Sequence, residues 1–268
     1  MSKKLTELKV LIKGGGEVAS GVAHRLFRAH FRVCLTETPR PQAVSRGVSF
    51  SEAVYDGEKE VEGVVARLVE SASEIPTVWG ENKIPIIVDP EAAIKDTLHP
   101  SILIDAIMAK RNLGTRLTDA ALVIGLGPGF QAGKDVHLVV ETNNSDRLGE
   151  VISAGGAERN TGVPIAIGGL TSERVQHAID GGLFVTNREI GEYVTAGEAI
   201  ASLGRQVIEA PTSGIIRALL RSGIEVDKGT KLVEIDPAAS KEICYRIRAR
   251  VRAIAGGALE AILIWFNV

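Results

Sequence analysis

The residues best placed to do chemistry lie near the amino end, in Gly14-Gly15-Gly16-Glu17-Val18-Ala19. Gly14, Gly16 and Ala19 fit the spacing G-x-G-x-x-A. In that spacing the first glycine permits a tight turn, the second lets backbone approach a pyrophosphate, and the small third residue allows close helix packing. Leu8-Lys9-Val10-Leu11-Ile12 ahead of the turn reads as a buried strand, and Val22, Leu26 and Phe27 after it recur at helical spacing. A helix starting here presents free N–H groups to an anion. A second strand, Phe31 to Leu35, ends near Glu37, where a carboxylate can accept a hydrogen bond from a ribose hydroxyl. Arg40 beside it leaves a 2′-phosphorylated ribose open, so NAD and NADP stand equal. Two facts weigh against a ligand: a glycine turn can be purely architectural, and Glu17 suits the helix dipole while opposing a bound anion. The expectation is a nucleotide-phosphate site.

A second glycine loop, Gly125-Leu126-Gly127-Pro128-Gly129-Phe130, follows the strand-like run Ala120 to Ile124. Beyond it come Lys134, Asp135 and His137, then Leu138-Val139-Val140 ending in Glu141-Thr142-Asn143-Asn144. Polar groups of both signs thus gather after two successive strands, the edge at which open α/β sheets bind ligands, and make a wall suited to an anionic, hydrogen-bonding partner. His137 reads as a hydrogen-bonded structural histidine ahead of a general base. Between the two glycine segments, Ile84 to Val88 is an apolar run closed by Asp89-Pro90, and His99-Pro100 precedes a stretch read as helical through Ile104, Ile107 and Met108. Asp105 and Lys110 could be site residues there, with a solvated helix face as the default reading. No H-x-x-H, C-x-x-C or G-x-S-x-G occurs, so direct metal ligation and serine hydrolase chemistry are not expected.

The elements that must position these residues follow from composition. The chain has 268 residues, 45% hydrophobic with 4% aromatic and a formal charge of -2. That is long enough for two domains and suits Ala/Val/Ile/Leu-rich α/β layers. Near-neutral charge offers no basic surface for nucleic acid or an anionic membrane. No apolar stretch approaches the ~18 residues a membrane span needs, and the first residues lack a signal-peptide core, so a cytoplasmic protein is expected. Cys34 and Cys244 read as structural and unpaired, with Cys34 a buried strand residue.

From Leu183 the texture changes to short alternating runs divided by glycines. Gly191-x-x-Val194-x-x-Gly197-x-x-Ile200 recurs as Gly223-x-x-Val226-x-x-Gly229-x-x-Leu232, with Ala210-Pro211-Thr212-Ser213-Gly214 between the two. This repeat resembles the two halves of a biotinyl or lipoyl-type β-domain, in which a lysine at a hairpin tip carries the prosthetic group. The matching turn here offers Arg205, which cannot form that amide. The expected fold is therefore a Rossmann-like parallel α/β domain over residues 1–182, a small biotinyl/lipoyl-like β-domain over 183–238, and a C-terminal helix over 239–268 returning to the first domain. Arg246, Arg248, Arg250 and Arg252 in that last segment read as a solvated face able to meet an anionic partner.

Long strings carry a family resemblance over almost the whole chain. Ile12 to Leu26, Glu52-Ala53-Val54-Tyr55-Asp56-Gly57 and Val61-Glu62-Gly63 resemble the YqeB family of selenium-dependent molybdenum hydroxylase accessory proteins. Val123 to Phe130, Asp135-Val136-His137, Val140-Glu141-Thr142-Asn143 and Leu148-Gly149 are similar to the XdhC-type proteins that prepare the cofactor of xanthine dehydrogenases. The resemblance implies binding of the molybdenum cofactor, as molybdopterin or its dinucleotide form, and support for its terminal sulfur or selenium ligand. It also implies delivery to a molybdenum hydroxylase, with a cysteine desulfurase or selenium donor protein as a further partner, and it is compatible with a homo-oligomer. Two other readings stay open. One is an NAD(P)-dependent oxidoreductase using Gly14, Gly16, Ala19 and Glu37, and the other is a non-catalytic interaction protein that docks through its β-domain.

Overall fold

The computed structural model of the protein describes residues 4–164 and 166–267. The chain forms two compact units. Unit 1 comprises Met1–Pro41, Phe50–Thr161 and Ile247–Val268, and unit 2 comprises Gln42–Ser49 and Gly162–Arg246.

Unit 1 is built on nine strands: β1 (Lys9–Lys13), β2 (Arg32–Glu37), β3 (Glu58–Val61), β4 (Val64–Val69), β5 (Ile84–Val88), β6 (Ile102–Asp105), β7 (Leu122–Leu126), β8 (Leu138–Val140) and β9 (Val151–Ile152). Their order across the sheet is β3-β4-β5-β2-β1-β6-β7-β8-β9. The run from β4 to β8 is parallel, while β3 and β9 join the two edges antiparallel. The central strands are unbroken apolar runs, as expected where both faces are covered. On one face Leu11, Cys34, Leu103, Val123 and Val139 join Val69, Ile75, Val78 and Phe130 in one buried cluster. Each such side chain contributes about 1.5–3 kcal/mol by leaving water.

Two helices pack together and against β1, β2, β7 and β8: α1 (Glu17–Arg28) and, after the short α2 (Ala53–Asp56), α3 (Ile75–Gly80) and α4 (Lys95–Leu98), the long α5 (Ala249–Phe266). Val18, Ala19, Val22, Ala23 and Leu26 form the buried stripe of α1, and Arg25 and Arg28 fall in its last turn, where the helix dipole favours cations. Close approach of α1 to α5 depends on Gly21, since a Cβ there would overlap the Val251 side chain.

Among the described residues unit 2 has eight strands: β10 (Val175–His177), β11 (Gly182–Val185), β12 (Tyr193–Val194), β13 (Ala199–Leu203), β14 (Gln206–Glu209), β15 (Gly214–Leu219), β16 (Ile224–Val226) and β17 (Lys231–Asp236). They form two antiparallel sheets, β10-β17-β15-β12 and β14-β13-β11-β16, around Phe184, Val194, Ile216, Leu232 and Val233. A buried ion pair, Arg174 to Glu234 at 2.8 Å, ties the segment ahead of β10 to β17. The two copies of the glycine repeat run through β12 into β13 and through β16 into β17, and Gly204-Arg205 is the tip of the β13–β14 hairpin.

Three expectations are corrected. The fold is not a Rossmann-like parallel sheet carrying a biotinyl/lipoyl-like domain: unit 1 is a mixed sheet with antiparallel strands at both edges, and unit 2 is a pair of antiparallel sheets. The crossovers explain the difference, since the segment between β6 and β7 holds no α-helix and that between β5 and β6 holds only the four residues of α4. Second, the stretch read as helical around Ile104 is strand β6. Its four residues are fully buried and pair with both β1 and β7, so tertiary pairing overrides an ambiguous apolar spacing. Third, the β-rich unit starts at Gly162 and not at Leu183, and it takes in Gln42–Ser49.

Candidate functional site

The chain runs from β1 outward to β2, β4 and β5, then returns to lay β6 on the other side of β1. That reversal makes a switch point between β1 and β6, and open α/β sheets bind ligands outside the strand carboxyl ends at such a point. The first glycine turn follows β1 directly at this edge.

Gly14 sits at φ +96° and donates its N–H to Thr36 O at 2.9 Å, and a Cβ there would press on Ala106 O at 3.2 Å. The Gly15 carbonyl accepts from Ser20 Oγ at 2.9 Å and from the Ser51 N–H at 2.8 Å. The Gly15 N–H donates to Glu37 Oε2 at 2.7 Å, and the Thr38 N–H donates to Glu37 Oε1 at 2.7 Å. Glu37 therefore pins the turn to the end of β2 and keeps one lone pair on each oxygen for a further donor. Gly16 is different. It is the N-cap of α1 at φ −70°, ψ −175°, no side chain caps the helix, and a Cβ there would meet nothing within 4 Å. Neither backbone conformation nor internal packing asks for glycine at this position.

Glu17, expected to oppose an anion, is paired at 3.0 Å with Arg248, the N-cap residue of α5. The neighbouring arginines are also engaged: Arg250 donates to Thr142 O at 2.7 Å and Arg252 pairs with Glu62 at 2.7 Å. The helix thus spends these charges on anchoring within unit 1.

Sequence reading weighed Asp105 but missed Lys13 and Thr115, its partners at the switch point. Lys13 and Asp105 end β1 and β6 and stand in register. Lys13 Nζ donates to Thr115 Oγ1 at 2.9 Å, Thr115 Oγ1 donates to Asp105 Oδ2 at 2.6 Å, and the ion pair itself measures 3.6 Å. All three residues are buried. The connecting loop contains Met108 and Lys110, both at φ +62°, conformations that non-glycine residues adopt at a cost. The sequence held one signal, a lysine closing an otherwise apolar strand immediately before a glycine turn.

The second glycine loop is occupied by the protein itself. A Cβ on Gly125 would lie 2.5 Å from the Phe130 ring, one on Gly127 would overlap Thr142 Oγ1, and one on Gly129 would lie 2.6 Å from the Arg111 N atom. Phe130 belongs to the buried core, Pro128 is half-buried and Lys134 is exposed. Glu141 is fully buried, and its carboxylate accepts the N–H groups of Thr142, Asn143 and Glu158, each at 2.7 Å. His137 Nδ1 accepts the Val123 N–H at 3.0 Å, its ring stacks edge-on against Trp265, and burial holds its pKa below the ordinary histidine range. The structure brings Gly14 to Ala19 and Glu37 together at the switch point. It places Gly125 to Phe130, Lys134, His137, Glu141 and Thr142 around the neighbouring β7–β8 end.

A cavity of about 690 Å³ lies elsewhere, lined by Lys9, Phe27, Arg32 and Trp79 at the amino ends of β1 and β2, the edge opposite the glycine turn. Lys9 Nζ and Trp79 Nε1 at that cavity already donate to Leu98 O and Val33 O. Among the described residues no group of three His, Cys, Asp or Glu could hold a metal ion, and no helix is long and apolar enough to cross a membrane.

No family model matches the chain. It is similar to the uncharacterized protein YqeB of Escherichia coli (strain K12), with 44% identity over 255 residues that cover 95% of this chain and 47% of that protein. The chain spans about half the length of this curated relative, and the likeness supports the YqeB family without reaching an accessory role. Among solved structures it is similar to the product-bound ectoine utilization protein EutE (DoeB) from Ruegeria pomeroyi, at 12% identity over 85% of each chain with a TM-score of 0.25. It is also similar to an aspartoacylase family protein from Mesorhizobium loti, at 9% identity over 87% of this chain and 86% of that one with a TM-score of 0.27. These names do not meet the expectation of molybdenum, selenium or chaperone relatives, and at such TM-scores the likeness carries no argument about chemistry.

Proposed function

We propose that this chain binds a phosphate-bearing cofactor at the Gly14–Gly16 turn, with phosphate oxygens received by the N–H groups of the first turn of α1. The observation that carries the reading is Gly16, the N-cap of α1, where the backbone suits any residue and a Cβ would meet nothing within 4 Å, so the helix N–H groups face open space. Uncapped N–H groups and the dipole of the 12-residue α1 favour an anion there. Pairing of Glu17 with Arg248 removes the main electrostatic objection.

These features fit the phosphate end of a nucleotide or of a pterin dinucleotide. The sequence resemblance alone supplies the finer reading, in which the ligand is the molybdenum cofactor and the whole protein holds it for a molybdenum hydroxylase. When bound, that group supplies the metal chemistry, and the residues described here bind and orient its phosphate. An NAD(P)-dependent reaction is the second reading, favoured by Glu37, which ends β2 with lone pairs left for a ribose hydroxyl. The test is to purify the protein from a molybdenum-replete host and assay bound molybdenum, pterin and nucleotide together. Co-purifying pterin and molybdenum support the first reading. Nucleotide alone with nicotinamide turnover supports the second, and a ligand-free protein that no phosphate compound stabilises contradicts both.

A further inference from the structure

We propose that Lys13 is a ligand-binding residue of this same site, donating to an oxygen of the phosphate-bearing molecule anchored at Gly16, and that Thr115 and Asp105 are its positioning residues. The inference rests on the phosphate-site reading and adds to it a second contact and a ligand class.

An ammonium group has three N–H donors. The described hydrogen bonds use only one of those on Lys13, the bond to Thr115 Oγ1, because Asp105 Oδ2 at 3.6 Å is an ion-pair partner outside hydrogen-bond length. A buried cation is tolerated when it is paired and fully hydrogen-bonded, and two unused donors on a side chain 6% exposed leave this one short. The shortfall lies at the switch-point end of β1, one residue before the turn. A second orphan lies on the same turn: Ser51, whose N–H binds the Gly15 carbonyl, has a buried Oγ with no hydrogen-bond partner among the described residues. The rest of the cluster is fixed. Asp105 Oδ1 accepts the Ile107 N–H at 3.2 Å, and the Asn112 side chain holds Thr115 through its N–H at 2.8 Å and its carbonyl at 2.8 Å. Lys13 is thus a preorganised donor.

Its charge defines the ligand. Asp105 offsets much of the lysine charge, so the group received there is a carbonyl or a singly charged oxygen, while the helix terminus takes the phosphate. The class is a phosphate ester or anhydride that presents a second oxygen acceptor close to its phosphate.

The test titrates inorganic pyrophosphate, GDP and NAD⁺ into the full chain and into Thr115→Val, Thr115→Ser and Gly16→Thr, and follows the Lys13 Nζ resonance by ¹⁵N NMR. We expect saturable binding of at least one probe with a shift of the Lys13 resonance. Affinity should fall by about tenfold or more in Thr115→Val and return to within about twofold in Thr115→Ser. Binding lost in Gly16→Thr but unchanged in Thr115→Val, with a static Lys13 resonance, would overturn the lysine contact and leave the phosphate site standing. If no probe binds the wild-type chain, the phosphate-site reading fails and the lysine contact fails with it.

Discussion

The two glycine-rich segments look alike in sequence and differ in what surrounds them. At Gly125, Gly127 and Gly129 the protein fills the space a side chain would take, with Phe130, Thr142 and the Arg111 backbone. At Gly16 it fills nothing, and backbone geometry there suits any residue. Glycine in the second loop is explained by packing of the protein on itself. Glycine at position 16 is one of several residues that this N-cap would accept, and open space at a helix N-terminus is what a backbone-bound anion would need. The contrast separates glycines whose place the packing fills from one whose place it leaves open.

Several substitutions sharpen or break that contrast. Largest in effect should be Lys13→Met, which leaves Asp105 buried without its cation and should cost about 3–5 kcal/mol in denaturant unfolding. An unchanged midpoint would show that the cluster is solvated. Next, Gly127→Val forces a side chain onto Thr142 at a residue held at φ +76°, for a loss of about 3 kcal/mol. Little loss there would erase the difference between the two loops. Glu141→Gln places an amide where a carboxylate receives three backbone N–H groups, and about 2 kcal/mol should be lost by the same measurement.

A smaller effect is expected from pH. Burial lowers the pKa of His137, so the fold holds the neutral ring, with Nδ1 accepting from Val123. Burial is also the leading cause of the lowered pKa of His24. For a histidine lowered on folding, stability is complete above the unfolded value of about 6.5 and declines as pH falls through it. Unfolding followed over that window should show this decline, with a flatter slope in His137→Asn. An equal slope in the variant would remove His137 from the account.

Much of unit 1 was legible where strands are long apolar runs. The β1, turn, α1 and β2 succession, with Glu37 beside the turn, followed from periodicity and glycine placement. Around Asp105 the reading failed, because four buried residues carry no period that separates strand from helix, and only pairing with β1 and β7 decides. The Lys13–Thr115 contact joins residues 102 positions apart, beyond any spacing argument. The parallel-sheet expectation failed for a related reason: antiparallel edge strands such as β9, only two residues long, leave almost no pattern. In unit 2 the glycine repeat marked strands correctly, yet β10 and the Gln42–Ser49 segment belong there through contacts that local texture does not encode.

The most direct test of the central claim is Gly16→Thr, examined for stability and for ligand binding together. Threonine equals glycine as an N-cap, so unfolding free energy should stay within about 0.5 kcal/mol of wild type. Its side chain stands in the open space ahead of the helix and competes for the helix N–H groups, so stabilisation by phosphate-bearing ligands should vanish. A variant that keeps both its stability and its full ligand response would contradict the account.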